Sequence, residues 1–145
     1  MIWSAGKTQM AMQLALDVQI PAIFRGCGGE AVYIDTEGSC VPSRLGSMAA
    51  ALVRHLQQIA KTAAARHIQV CQRSQLTALS QEQAAELQHK QGVADRKVAE
   101  AARISVTSLL SGIHIFRTHD QTELLAVVAQ LAAFLGAHPQ VRMPA

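Results

Sequence analysis

Residues 4–9 read Ser4-Ala5-Gly6-Lys7-Thr8-Gln9 and match the second half of a phosphate-binding loop, G-x-x-x-x-G-K-[ST]. A stretch with helical periodicity, Gly6 to Gln19, follows at once. In such a loop the backbone N–H groups surround phosphate oxygens at a helix N-terminus, the lysine reaches the β- and γ-phosphates, and the hydroxyl holds Mg²⁺. The sequence therefore predicts a nucleotide site in which Lys7 contacts the phosphates and Thr8 is a magnesium ligand.

An alternative limits what this motif predicts on its own. A bare Gly-Lys-Thr also occurs at ordinary helix starts that carry an exposed lysine, and that alternative stays open here. The helix itself is predicted by Met10, Leu14 and Val18, which recur at i, i+4 and i+8 with Ala11 and Ala15 beside them, and we expect it to end at Pro21.

A second motif follows a predicted strand. Residues 31–34, Ala-Val-Tyr-Ile, form a short β-branched run typical of a strand buried on both faces of a parallel sheet, and Asp35-Thr36-Glu37-Gly38 leaves its carboxyl end. Open α/β sheets bind ligands at that edge, and phosphoryl transfer to water needs a residue that orients the water. Glu37 is our candidate for that role. An ordinary turn is the alternative, since these residue types are common in turns.

Further elements extend the same pattern. Ile113–Phe116 is predicted to be a second strand, Asp120 or Thr122 is predicted to start a helix, and residues 140–143 are predicted to begin a third strand. We expect that helix to have an apolar side, formed by Leu124, Leu125, Val128, Leu131 and Leu135. The order of helices and strands predicts an α/β fold, with a parallel sheet joined by crossover helices.

Residues 61–104 differ in composition, being rich in Ala, Gln, Arg and Glu. We interpret them as a polar insertion with two helices, 81–91 and 93–103, separated by Gly92; disorder is the alternative for its first half. The segment carries the basic residues Arg66, Arg73, Lys90, Arg96, Lys97 and Arg103. A solvated helix face is favoured over contact with DNA phosphates, because acidic residues are interspersed with them.

Composition narrows the class of protein. The 145 residues fit one domain, with a net charge of +3, a hydrophobic content of 50% and an aromatic content of 3%. Three cysteines at irregular spacing predict reduced thiols rather than a disulfide framework or a zinc site. Neither a signal peptide nor a membrane-spanning run is evident, so we expect a soluble, intracellular protein without a membrane partner.

In combination these motifs resemble the eukaryotic RecA-type recombinases. The resemblance rests on residues 6–10, 13–15 and 17–21, on residues 29–39, and on Arg44-Leu45. It continues in Ile115-Phe116-Arg117 and in residues 122–125, and together it covers about 4–60 and 105–142. Within the family it favours the recombinase paralogues, and among them the C paralogue, because of residues 17–21 and 122–125 and the later Phe134-Leu135 and Val141-Arg142.

The resemblance implies a partial RecA-like P-loop ATPase core over residues 1–145, with 61–104 inserted in it. It implies ATP and Mg²⁺ as cofactors, phosphate and metal contacts at Lys7 and Thr8, Glu37 as the catalytic acid, and Arg44 near the adenine. It further implies a nuclear role in homologous recombination and double-strand break repair. The implied partners are other recombinase paralogue subunits and, in the intact form, single-stranded or branched DNA.

The sequence departs from the family pattern at both ends. Met1 stands where the first glycine of the loop is expected, and a Walker B strand would begin near Val141. We therefore expect a chain that does not hydrolyse ATP by itself, the intact form being a DNA-dependent ATPase; a fragment, an isoform and a mis-called gene model are alternatives that the sequence leaves open. A non-catalytic module that pairs with paralogue subunits is the alternative. A small P-loop kinase is a third, which the mixing of arginines with acids in 61–104 disfavours.

Overall fold

The computed structural model describes residues 6–74 and 81–141, and it divides the chain into two units. One unit contains the residues up to Ala50 and those from Val106 onward, and the other is Ala51–Ser105. The helices are α1 (Lys7–Asp17), α2 (Pro42–Ser74), α3 (Gln81–Arg103), α4 (Val106–Ser111) and α5 (Gln121–Ala137), and the strands are β1 (Ala31–Asp35) and β2 (Ile113–Arg117). A 3-10 turn spans Ala22–Phe24.

The two strands form a parallel pair in the first unit. Their register runs from Ala31 opposite Ile113 to Asp35 opposite Arg117. Both predicted strands and their parallel pairing are confirmed, so the fold is a partial α/β core. The predicted burial of β1 on both faces is only partly met: Ala31 is buried, whereas residues 32–34 are half-buried.

A further bridge lies beside β1. Glu30 donates its N–H to the carbonyl of Gln140 at 2.8 Å and forms a parallel bridge with Val141, whereas Ala31 donates to the carbonyl of Gly112 at 2.9 Å. Because neighbouring N–H groups of a strand point to opposite sides, Val141 lies on the side of β1 away from β2. The predicted third strand makes its contact there, and its residues 142–143 lie outside the described part of the chain.

Helix α1 packs through Met12, Ala15 and Leu16, which are buried at i, i+3 and i+4. The predicted helix is present, but Met10 and Leu14, whose spacing predicted it, lie on its exposed side, at 68% and 57% exposure. This helix carries large apolar side chains on both sides, so periodicity alone does not choose between them; contact with β1 does.

The second unit contains most of α2 and all of α3. Leu52, Leu56 and Ala60 of α2 are buried, as are Ala94 and Ala101 of α3. The ring of His67 in α2 hydrogen-bonds the carbonyl of Leu87 in α3 at 2.9 Å, which joins the two helices. Among the side chains that the structure describes, the core of this unit is therefore built from two leucines and an alanine on α2 and two alanines on α3.

Two details of the predicted insertion are corrected. Helix α2 continues past Lys61 to Ser74, and α3 is a single helix that runs through Gly92, where two helices were predicted. A glycine in a helix interior costs only about 1 kcal/mol relative to alanine, which a helix of this length absorbs. The boundaries 61–104 stay a prediction, beside an observed unit of Ala51–Ser105.

Helix α5 starts where the sequence predicted. Asp120 caps it by accepting the N–H of Glu123 at 2.7 Å, and the Glu123 carboxylate accepts the N–H of His119 at 2.7 Å. Its predicted apolar side is not buried, because Leu125 is 63% exposed and Val128 is 52% exposed. None of the described helices has both the length and the apolar character needed to cross a membrane.

Candidate functional site

The first turn of α1 is built to face an anion. Gly6 precedes it with a left-handed φ of 69°, a conformation that glycine adopts without strain. The first N–H groups of a helix have no intrahelical partner. Neither a side-chain cap nor an acidic residue occupies this turn, so the helix dipole is not compensated there. Lys7 is exposed, and Thr8 is half-buried. The predicted site residues Ser4 and Ala5 lie outside the described residues.

A hydroxyl contact joins this turn to the loop that follows β1. The Oγ1 of Thr8 lies 3.2 Å from the Oγ of Ser39, within hydrogen-bonding distance. The predicted phosphate-binding turn and the predicted 35–38 motif are thus adjacent, although they are far apart along the chain. Ser39 was not among the predicted site residues; its position one residue after a strand-end turn was the available signal.

Asp35 is the organising residue of that loop. Its side chain is 4% exposed, and its two carboxylate oxygens accept the N–H groups of Ser39 and Cys40, each at 3.1 Å. Burial by itself would raise the pKa of Asp35, but the N–H groups of Cys40, Ser39 and Glu37, with the charge of Arg117, lower the pKa below its ordinary value. The turn alternative therefore applies to Asp35, which holds the loop in place.

The adjoining strand secures the other side of the loop. The guanidinium of Arg117 donates to the carbonyl of Gly38 at 3.0 Å, and the N–H of Thr118 donates to the carbonyl of Asp35 at 3.1 Å. Gly38 has a left-handed φ of 66°, and a Cβ there would collide with the Arg117 guanidinium. Arg117 thus has a positioning role that was not predicted from the sequence.

The remaining predicted site residues are placed as follows. Glu37 is exposed on the same loop, with its carboxylate free of the hydrogen bonds that engage Asp35. Arg44 is exposed in the first turn of α2. Among the described contacts, no hydrogen bond or ion pair joins the side chains of Lys7, Glu37 and Arg44. Gln9 donates to the Met48 sulfur at 3.3 Å.

Neighbouring groups are shifted toward their neutral forms. Burial, followed by the charge of Asp35, raises the pKa of the Cys40 thiol, which favours the protonated form. Burial also raises the pKa of Tyr33, with smaller contributions from Cys40, Asp35 and Glu37. Neither group is therefore an activated nucleophile.

The donor set fits a nucleotide with magnesium. The hydroxyls of Thr8 and Ser39 could supply oxygen ligands, and the N–H groups without an intrahelical partner, together with Lys7, could supply the donors and positive charge that phosphates require. The described residues contain no group of three His, Cys, Asp or Glu side chains that could hold a metal ion. Such a set suits Mg²⁺, which proteins hold through few ligands together with substrate phosphates.

The histidines of the first unit have structural partners. His114 lies 2.8 Å from the carboxylate of Glu30, and its ring contacts Phe134 edge-on, with centroids 5.1 Å apart. Phe134 stacks on His138, with centroids 4.2 Å apart. His119 contacts Glu123 at 3.1 Å. These contacts tie α5 and the segment beyond it to the strands rather than form a ligand site.

Comparisons with known proteins extend these observations. Residues 2–101 match the family model of Rad51. The chain is 40% identical over 139 residues to the DNA repair protein RAD51 homolog 3 of Cricetulus griseus, which covers 95% of this chain and 30% of that protein. It is 50% identical over 52 residues to RAD51 homolog 3 of Dictyostelium discoideum, covering 36% of this chain and 14% of that protein.

A further relative is similar over a shorter stretch. The DNA repair and recombination protein RadA of Metallosphaera sedula is 44% identical over 50 residues, covering 34% of this chain and 15% of that protein. The chain thus spans less than a third of the length of each of these relatives. The predicted resemblance to RecA-type recombinases, and to a paralogue in particular, is confirmed. With the family model matching residues 2–101, on a parallel α/β core, the chain belongs to the Rad51 family.

Proposed function

We propose that this chain supplies the ATP-binding core of a recombinase paralogue that acts in homologous recombination and double-strand break repair. The observation that carries the proposal is the 3.2 Å contact between the hydroxyls of Thr8 and Ser39. It sets an uncapped helix N-terminus against the carboxyl edge of a parallel sheet, which is where α/β folds bind phosphates.

The roles proposed for individual residues follow from their positions. Residues 4–9 bind ATP, with Lys7 neutralising the β- and γ-phosphates, and the Thr8 hydroxyl serves as a magnesium ligand. Bound Mg²⁺ would neutralise developing charge on the phosphates. Glu37, exposed beside this turn, orients the attacking water in the intact form, and Arg44 lies near the adenine. Asp35 and Arg117 do not react; they fix the loop that carries Glu37 and Ser39.

The wider role is proposed from the family. Relatives named as DNA repair and recombination proteins support an ATP-dependent role on single-stranded or branched DNA in the intact form. Other recombinase paralogue subunits are the proposed protein partners, and the nucleus is the proposed location.

Mg²⁺-ATP binding by the chain, measured by isothermal titration calorimetry, tests the proposal. Lys7→Ala is expected to weaken binding at least tenfold, which corresponds to about 1.4 kcal/mol. Lys90→Ala is the matched control, since it removes the same charge from an exposed position on α3. Equal affinity for the wild type and Lys7→Ala would contradict the proposal, and so would an equal loss in both variants.

A non-catalytic interaction module is the second candidate. It is favoured by large apolar side chains that lie exposed on α1 and α5, with Met10 at 68%, Leu14 at 57% and Leu125 at 63%. Such exposure is typical of surfaces that another protein segment covers. A folded chain that binds a paralogue subunit in sedimentation velocity but binds no Mg²⁺-ATP would favour this candidate over the first.

A further inference from the structure

Helix α2 has an unusual distribution of charge. Over its whole length, Pro42–Ser74, it contains arginine, lysine and histidine but neither aspartate nor glutamate. Cations on protein surfaces are normally mixed with acids that partly neutralise them. The part of α2 within the second unit therefore carries uncompensated positive charge on its own helix.

The cations of this part lie on the solvent side. Arg54, Lys61 and Arg66 are exposed, as is His55, whereas Leu52, Leu56 and Ala60 are buried along another side of the helix. Lys61 follows Arg54 by seven positions, which puts the two on one line about 10 Å apart, and Arg66 follows His55 by eleven positions, on a second line about 16 Å long. The two lines are separated by about 120° around the helix.

The strip of helix surface between these two lines carries no charged side chain. It consists of Gln58, Thr62, Ala65 and Gln69, of which only Thr62 is partly covered. We name Arg54, Lys61 and Arg66, together with His55 and this strip, the α2 cationic face. Among the residues whose side chains the structure describes, no carboxylate pairs with Arg54, Lys61 or Arg66.

Acidic residues of the second unit are placed elsewhere. Two of those on α3 are engaged within that helix, where Glu86 pairs with Lys90 at 2.7 Å and Glu100 pairs with Arg103 at 3.8 Å. Interspersed acidic residues favoured a solvated helix face over contact with DNA, and these acids lie on α3. Helix α2 contains no acidic residue, so that argument does not apply to it.

We propose that the α2 cationic face binds the phosphate backbone of a nucleic acid strand without sequence preference. Three fixed cations spread along about 18 Å of helix match a run of backbone phosphates, and the side chains of Gln58 and Gln69 can donate hydrogen bonds to them. The Thr62 hydroxyl already donates to the carbonyl of Gln58 at 2.8 Å. Neither phenylalanine, tyrosine nor tryptophan lies on this face, so strong base stacking and base-specific readout are not expected. This site is separate from the nucleotide site of the first unit.

A lipid surface fits the same face less well. Amphipathic helices that lie on membranes insert a large apolar face beside their cations. The apolar face of α2 is occupied inside the second unit, with Leu56 3% exposed and Ala60 2% exposed. Insertion would require that core to open, whereas contact with phosphates would not.

The test measures binding of a fluorescein-labelled oligothymidylate by fluorescence anisotropy, in the absence of ATP and over a series of salt concentrations. The first variant combines Arg54→Gln, Lys61→Gln and Arg66→Gln. The matched control combines Lys90→Gln, Arg96→Gln and Arg103→Gln, which removes the same charge from α3. Glutamine has a helix propensity close to that of the replaced residues, so the helicity measured by circular dichroism should not change.

We expect the α2 variant to flatten the slope of log affinity against log salt by about 2, because each single-strand phosphate contact contributes about 0.7. The control should keep the wild-type slope. Equal losses in the two variants would overturn the proposal, since they would reflect net charge alone. Unchanged binding by the α2 variant would overturn it, as would wild-type binding to phosphatidylserine vesicles but not to the oligonucleotide. Because Lys7 is untouched and ATP is absent, failure here is distinct from failure of the nucleotide site.

Discussion

The buried carboxylate of Asp35 should be a measurable source of stability as well as of loop order. Replacing it by alanine leaves the N–H groups of Ser39 and Cys40 without their acceptor. Both of these hydrogen bonds are 3.1 Å long and partly buried. A hydrogen bond to a charged group contributes about 1.5–3 kcal/mol, and because both of these bonds are only part-buried we use a value below that range. At about 1 kcal/mol for each bond, Asp35→Ala should lower the free energy of unfolding by about 2 kcal/mol.

Urea denaturation followed by circular dichroism measures this effect. With a slope of about 2 kcal/mol per molar urea, the midpoint should fall by about 1 M. Asp35→Asn keeps one acceptor oxygen and should lose about half as much. Asp95→Ala removes an exposed carboxylate from α3 and serves as the control, expected within about 0.5 kcal/mol of the wild type. An Asp35→Ala midpoint that coincides with that of the control would refute the assignment of Asp35 as the organiser of the loop.

The pH dependence gives an independent check. The pKa of Asp35 in the folded state lies below its ordinary value of 3.8, so its contribution is fully present above that value and is lost as the pH falls through the folded pKa. The stability difference between wild type and Asp35→Asn should therefore be constant near neutral pH and shrink in acid. A difference that grows as the pH falls would contradict the reasoning.

Two further predictions concern α1 and α3. Leu16→Ala should lower the free energy of unfolding, measured by urea denaturation, by about 3 kcal/mol, because Leu16 is fully buried. Leu14→Ala, at a position 57% exposed, should lower it by less than about 1 kcal/mol. Equal losses in the two variants would contradict the packing of α1 through its Met12–Leu16 side. Gly92→Ala should stabilise α3 by about 1 kcal/mol, because the position is helical and a methyl group there would have no neighbour within 4 Å. Backbone hydrogen exchange around residue 92 should then be slower than in the wild type. Faster exchange would indicate the helix break that the sequence predicted.

The sequence by itself determined the elements whose signals are local. Short apolar runs located β1 and β2, and the Asp120 cap located the start of α5. Gly6-Lys7-Thr8, together with residues 35–38, predicted the family. Each of these depends on neighbours within a few residues, so the chain specifies them before any packing.

Only the tertiary structure decided which surfaces meet. It chose the Met12–Leu16 side of α1 over the Met10–Leu14 side, because β1 covers one of two comparable apolar faces. It assigned Asp35 to the backbone of the loop and left Glu37 free, although both are carboxylates of the same motif. It carried α3 through Gly92, because the cost of one glycine is small beside the cooperative gain of a long helix. Local sequence proposes the candidates, and the choice among near-equal candidates is made by contacts between residues far apart in the chain.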